Sequence, residues 1–153
     1  MRALLLSLVA AATVATPALA NEARLEGRGG VVFNRSNSEA IAGVAAGYDW
    51  DLGDRLFAGV EVSGDKLLES NTRISAGGGI RAGVKMGTDG RLYGIGTYQT
   101  KPCKGCDEFW TAGAGYQHAL AGNVYAKVEY RHLFLDNGVT DADTMLAGLG
   151  VKF

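Results

Sequence analysis

Beyond its first twenty residues the chain has no run of eighteen consecutive apolar residues, which excludes a membrane-crossing helix. No segment of that remainder shows a helical period either. There are only two prolines, two cysteines and two histidines. A closed zinc site needs about four ligands, and His118 lies a full predicted strand away from Cys103 and Cys106, so a metal centre is disfavoured. A c-type haem attachment would need His after Cys106, where the chain has Asp107. There is no excess of positive charge: without Arg2, 14 basic side chains face 16 acidic ones. Such a chain has no general attraction for nucleic acid.

The first twenty residues read as an export signal. Arg2 supplies a positive start, "ALLLSLVAAATVA" an apolar core, and "ALA" at Ala18–Ala20 a small-residue cleavage site. Cleavage is expected after Ala20, leaving residues 21–153 as one domain.

All 23 glycines lie in that domain, where the dominant signal is a period of two. In Arg73–Lys85 the even positions are Ile74, Ala76, Gly78, Ile80, Ala82 and Val84. The odd ones are Arg73, Ser75, Gly77, Gly79, Arg81, Gly83 and Lys85. Thirteen residues of this alternation suit a tilted strand crossing a bilayer, which needs roughly 9–11. The same sorting predicts strands near Ala23–Phe33, Ala40–Trp50, from Leu56, near Arg91–Gln99, from Trp110, from Val124, and over the terminal "MLAGLGVKF". Near Arg91–Gln99 the parity is ambiguous, because both faces mix apolar and small residues.

The connections alternate in length. Asp51–Arg55, Thr88–Gly90 and Ala119–Asn123 are compact turns; Asn34–Glu39, Asp65–Asn71, Thr100–Glu108 and Asp136–Asp143 are longer polar links. Aromatic residues group toward two rims, with Tyr48, Trp50, Tyr116 and Phe153 at one and Phe33, Trp110 and Tyr130 at the other. There is also an internal repeat: Ala45–Val62 matches Gly113–Tyr130 at an offset of 68, aligning Gly47 with Gly115, Tyr48 with Tyr116 and Glu61 with Glu129. Together these features predict an all-β, eight-stranded, antiparallel, up-and-down transmembrane β-barrel. Parity alone leaves open the inverse arrangement, a soluble periplasmic ligand-binding barrel with an apolar interior; aromatic rims, turn asymmetry and Phe153 favour the membrane.

The "GY" before a short turn, the "VEY-R" strand after it, the eight strands and the terminal Phe153 resemble the small OmpA-like and opacity-type outer-membrane β-barrel family. The resemblance implies a Gram-negative outer membrane and contact with its lipid and lipopolysaccharide. It also implies insertion by the outer-membrane assembly machinery, which reads a last strand ending in an aromatic residue; Leu149, Val151 and Phe153 occupy those positions.

The charges on the inward parity are Arg24, Glu26, Arg28, Asp49, Glu61, Arg73, Arg81, Lys85, Lys127, Glu129, Arg131 and Lys152. An eight-stranded barrel has an interior just wide enough for side chains, and isolated charges there are costly. A lumen network of Glu26, Glu61, Arg81, Lys127, Glu129 and Arg131 is therefore expected, as a plug rather than a conduit. The exported context makes a Cys103–Cys106 disulfide the expected state of "CKGC". Acyl-ester hydrolysis would need Ser, His and an acid presented together. Ser63 and Ser75 read inward and His132 outward, so no enzyme and no cofactor are expected.

The functional expectation is a monomeric structural or surface-interaction protein of the envelope. The alternatives are a narrow solute channel and, behind it, a lipid-modifying enzyme. The parity assignment makes Leu149→Arg damaging and Gly150→Ser mild, since the face of Gly150 accepts polar groups.

Overall fold

In the computed structural model, which describes residues 21–35, 37–70, 72–135 and 140–153, eight strands close into one barrel. They are β1 (Glu22–Phe33), β2 (Ser38–Leu52), β3 (Leu56–Leu67), β4 (Ser75–Met86), β5 (Gly90–Gln99), β6 (Phe109–Ala121), β7 (Val124–Phe134) and β8 (Ala142–Lys152). Each pairs antiparallel with its neighbours in the chain, and β1 pairs with β8 from Arg24↔Lys152 to Phe33↔Asp143. Phe153 extends that seam, its N–H donating to the Ala23 carbonyl at 2.9 Å. Closure leaves no unpaired sheet edge. The expected cleavage after Ala20 lies outside the described residues.

The connections 53–55, 87–89 and 122–123 are the tight ones, at one rim. Each turns on a glycine in the left-handed region: Gly53 at φ 83°, Gly87 at 67° and Gly122 at 56°. A side chain is strained there. The described residues of the links after β1, β3, β5 and β7 form the opposite rim. Of the strand ends that differ from the expected ones, two change the set of inward charges. β3 runs on through Leu67, so Asp65 is an inward strand residue, not a loop residue. β4 begins at Ser75, so Arg73 lies outside the lumen; it is exposed, and its N–H donates to the Pro102 carbonyl at 2.7 Å.

Inside and outside are settled by exposure. Ile80 is 70 % and Leu149 62 % exposed, whereas Arg81 and Glu61 are each 2 %. Apolar side chains thus form the outer band and charges the interior, the inverse of a soluble barrel. Outward aromatics bracket the band. Tyr48 stacks edge-on with Trp50 at the short-turn rim (5.3 Å), and Tyr98 packs against Trp110 toward the long-loop rim (4.9 Å).

The inward glycines stand beside the large inward side chains. Gly47 is in register with Arg24 and Glu61, Gly59 with Asp49 and Arg81, Gly115 with Tyr93 and Glu129, and Gly150 with Glu26 and Tyr125. A glycine beside each bulky group is how a narrow barrel fits them all. This overturns the mild effect expected of Gly150→Ser. A Cβ at Gly150 would meet the Tyr125 hydroxyl oxygen at 2.5 Å and the Leu25 carbonyl oxygen at 2.7 Å. The face accepts polar groups only where there is room.

Three substitutions should therefore separate. Gly30→Ala, whose Cβ would overlap the Met145 carbonyl, should lower the urea midpoint of the refolded barrel by an amount equivalent to about 1–3 kcal/mol or more. Leu149→Arg should cost roughly 2–4 kcal/mol if it lies at mid-band. Gly27→Ala, whose Cβ meets nothing within 4 Å, should leave the midpoint unchanged. Equal midpoints for Gly30→Ala and Gly27→Ala would overturn this packing account.

Candidate functional site

The functional candidate is the lumen itself, where alternate residues of every strand converge. On β1 the alternation brings Arg24, Glu26 and Arg28 inward; on β3 Glu61 and Asp65; on β7 Lys127, Glu129 and Arg131. Arg28 donates through Nε to Asp65 (2.8 Å) and through Nη1 to Glu61 (2.8 Å). Glu61 also lies 3.0 Å from Arg24 and 2.9 Å from Arg131. Arg131 in turn pairs with Glu129. Lys127 bridges Glu129 (3.2 Å) and Glu26.

Two tyrosines extend the lattice. Tyr93 donates to Glu129 and Tyr125 to Glu26, each at 2.7 Å. Arg81 forks onto Asp49, donates to Gln117 (3.2 Å) and lies 4.8 Å from the centre of the Tyr93 ring. Nearer the short-turn rim, Arg91 pairs with Glu22 (2.8 Å) and Asp49 (3.4 Å), Lys152 with Glu22 (3.2 Å), and Lys85 with Asp51.

The six residues expected to form the network are thus all in one connected lattice; Arg81 joins it through Asp49, which Arg24 also approaches at 3.6 Å. The sequence reading missed Asp65, Tyr93, Tyr125 and Phe57, whose buried ring lies 5.4 Å from the Arg81 guanidinium and 5.3 Å from that of Arg91. Tyr125 and Phe57 share the parity of the charges on their strands, a signal that was present; Tyr93 lies on β5, whose two faces look alike in sequence. Cavities at the two ends of the lumen, of about 560 and 170 Å³, share no lining residue. The lattice lies between them.

The other singled-out residues lie apart. Cys103 and Cys106 are joined by a disulfide in the link between β5 and β6, with Cα atoms 5.2 Å apart. Beside them Lys101 pairs with Asp107 (3.3 Å) and Glu108 (3.4 Å), and its hydrogen bonds to them raise its pKa. His132 faces outward and meets Asp143 at 2.9 Å, while Ser63 and Ser75 point inward to Asp65 and the Thr100 carbonyl. The barrel wall therefore divides the histidine from the serines, and no hydrolytic triad forms among the described residues. No group of three or more His, Cys, Asp or Glu among them could hold a metal. Leu149 and Phe153 are exposed on the outer face, and Val151 is half-buried there.

Glu61 carries the greatest load. Glu61→Ala takes one shared acid from Arg24, Arg28 and Arg131, which keep Asp49, Asp65 and Glu129. It leaves the buried lattice one negative charge short and should cost about 3–5 kcal/mol, read as a lowered urea midpoint. Lys85→Ala, at the wet rim, should cost less than about 1 kcal/mol. A Glu61→Ala midpoint equal to the parent's would show that the lattice is not coupled through this carboxylate.

No family model matches the chain, and no curated protein matches it in sequence. Solved structures do match in shape. The N-terminal β-barrel domain of Pseudomonas aeruginosa OprF superposes with a TM-score of 0.60 at 16% identity, over 86% of this chain and 97% of that one. Neisserial surface protein A matches at 0.55 and 15% identity, over 87% and 97%. Ail, the attachment invasion locus protein of Yersinia pestis, matches at 0.55 and 16% identity, over 87% and 98%. At such identities the likeness is one of architecture: the chain has the fold of the small eight-stranded outer-membrane β-barrels.

Proposed function

We propose that this protein is a structural, surface-exposed component of a Gram-negative outer membrane, neither an enzyme nor an open channel. The observation that carries the reading is the pairing of an apolar, aromatic-bracketed exterior with a lumen filled by paired charges. Lipid and lipopolysaccharide are the partners of the outer band, which suits a monomer. The neighbours in shape include a surface protein and an attachment protein, and by analogy the links at the long-loop rim are the exposed interaction surface. Leu149, Val151 and Phe153, on the lipid-facing parity of the strand that closes onto β1, are the residues offered to the assembly machinery. The exterior is oxidising, which keeps Cys103 and Cys106 joined.

The protein should fractionate with outer membranes and migrate faster on a gel unboiled than boiled. Recovery in the soluble periplasmic fraction would overturn the membrane assignment. In planar bilayers it should show at most small, rare conductance; large stable openings would transfer the assignment to a solute channel. Native protein should resist thiol labelling until reduced, and reduction should leave the heat-shifted band in place, since so small a covalent loop contributes little to folding.

A further inference from the structure

The inward face changes character abruptly near the long-loop rim. On β3 the inward residue above Asp65 is Leu67; on β7 the one above Arg131 is Leu133. Leu67 is in register with Ile41 and Leu133 with Ala142, so adjacent strands carry the change together. Phe109 completes the apolar wall from β6, next to the disulfide-closed link, whose Pro102 and Cys106 also line it. These side chains do not meet in the middle. They surround a cavity of about 560 Å³, floored by Arg28, Asp65 and Arg131.

Asp107 and Glu108 of the disulfide-closed link also line the cavity, and a packed end to the lumen would leave no void much larger than a water molecule. An apolar-walled cup of this size over a polar floor matches what small-molecule sites require, typically about 300–1,000 Å³ with a few placed polar groups. The floor also restricts the ligand's charge. Arg28 spends its guanidinium on Asp65 and Glu61, and Arg131 pairs with Glu61 and Glu129. A charged ligand end would have to compete with those pairs. Ser75, Thr111 and Gln99 also line the cup; they bond to the Thr100 carbonyl, to Thr97, and to Ser63 and Thr97, respectively. Their spare hydroxyl and amide valences suit a neutral hydrogen-bonding end that displaces no ion pair.

We propose that this cup is a binding site for a small neutral amphiphile, with its hydrocarbon body between Ile41, Leu67, Leu133 and Phe109 and a hydroxyl or carbonyl end toward Ser75, Thr111 and Gln99. The lattice below makes it a dead-end site: the ligand enters from the long-loop side and leaves the same way.

The four isoleucines make the test direct. Ile41 lines the cup, Ile95 is buried among Phe57 and Tyr93 in the lumen, and Ile74 and Ile80 face outward at 69 % and 70 % exposure. The δ1 methyls of isoleucine-labelled full chain in lipid nanodiscs, with folding checked by heat-shifted migration, are titrated with 1-octanol and separately with octanoate. Octanol should shift Ile41 along a saturating curve without moving Ile95. Octanoate should bind about tenfold or more weakly. Ala142→Trp, or Leu135→Trp outside the strands if the first does not fold, should fill the cup and weaken octanol about tenfold or more. Three results would each overturn the proposal: Ile41 drifting without saturation in step with Ile74 and Ile80, octanoate binding as tightly as octanol, or unchanged octanol affinity in a folded, filled variant.

Discussion

One carboxylate, Glu61, holds the interior together. It projects from β3 and meets Arg24 and Arg28 of β1 and Arg131 of β7. Three guanidiniums around one acid would repel if the cluster stopped there. It does not: Glu26, Asp49, Asp65 and Glu129 each take a further share of the positive charge. A buried pair gains or loses according to whether each remaining donor and acceptor finds a partner. Here the partners come from different strands, so every wall of the barrel must be in place for the charges to balance. The lattice thereby specifies register as well as filling space.

The glycine content follows from this lattice. Arginine, tyrosine and glutamate are long, and a narrow barrel can hold them only if the facing positions are empty of side chains. Gly47 gives way to the Arg24 guanidinium, Gly115 to the Tyr93 phenol and Gly150 to that of Tyr125. The outward glycines Gly27 and Gly94 have no such duty; their surroundings are open or ordinary. One residue type thus answers different demands. Inward parity marks the strand glycines that yield to the lattice, while Gly53, Gly87 and Gly122 are fixed by their left-handed turns and Gly90 by the Met86 carbonyl oxygen, 2.9 Å from where its Cβ would be.

That distinction shows how much was legible in the sequence. The closed eight-stranded architecture was, because a strand exposed to opposite environments writes its geometry as alternation, and Arg73–Lys85 does so over most of its length. The membership of Glu61, Lys127, Glu129 and Arg131 in one network was legible for the same reason. What was not legible depends on neighbours brought in from other strands. Arg73 continues the alternation perfectly, yet β4 starts only at Ser75, because the backbone at Arg73 bonds to Pro102 instead of to β3. Asp65 looks like the start of a polar link, yet Arg28 on β1 holds it inside with two hydrogen bonds. Gly150 looks tolerant until Tyr125 is placed beside it.

The internal repeat links these levels. Its two copies are the β2–β3 and β6–β7 hairpins, so its equivalent acids Glu61 and Glu129 lie on β3 and β7. In a closed ring of eight consecutive strands, strands four apart are diametrically opposed. Repetition of one hairpin therefore delivers two carboxylates from opposite walls at one level of the lumen. A symmetric pair of acids would repel across so narrow a space. The symmetry is broken where the copies differ: β7 carries Lys127 and Arg131 where β3 has Gly59 and Ser63. Arg131 then reaches both acids, and Lys127 binds Glu129 while the glycine at 59 clears room for Asp49 and Arg81. The repeated positions supply the acids, and the divergent ones supply the cations that fill the lumen between them with paired charge.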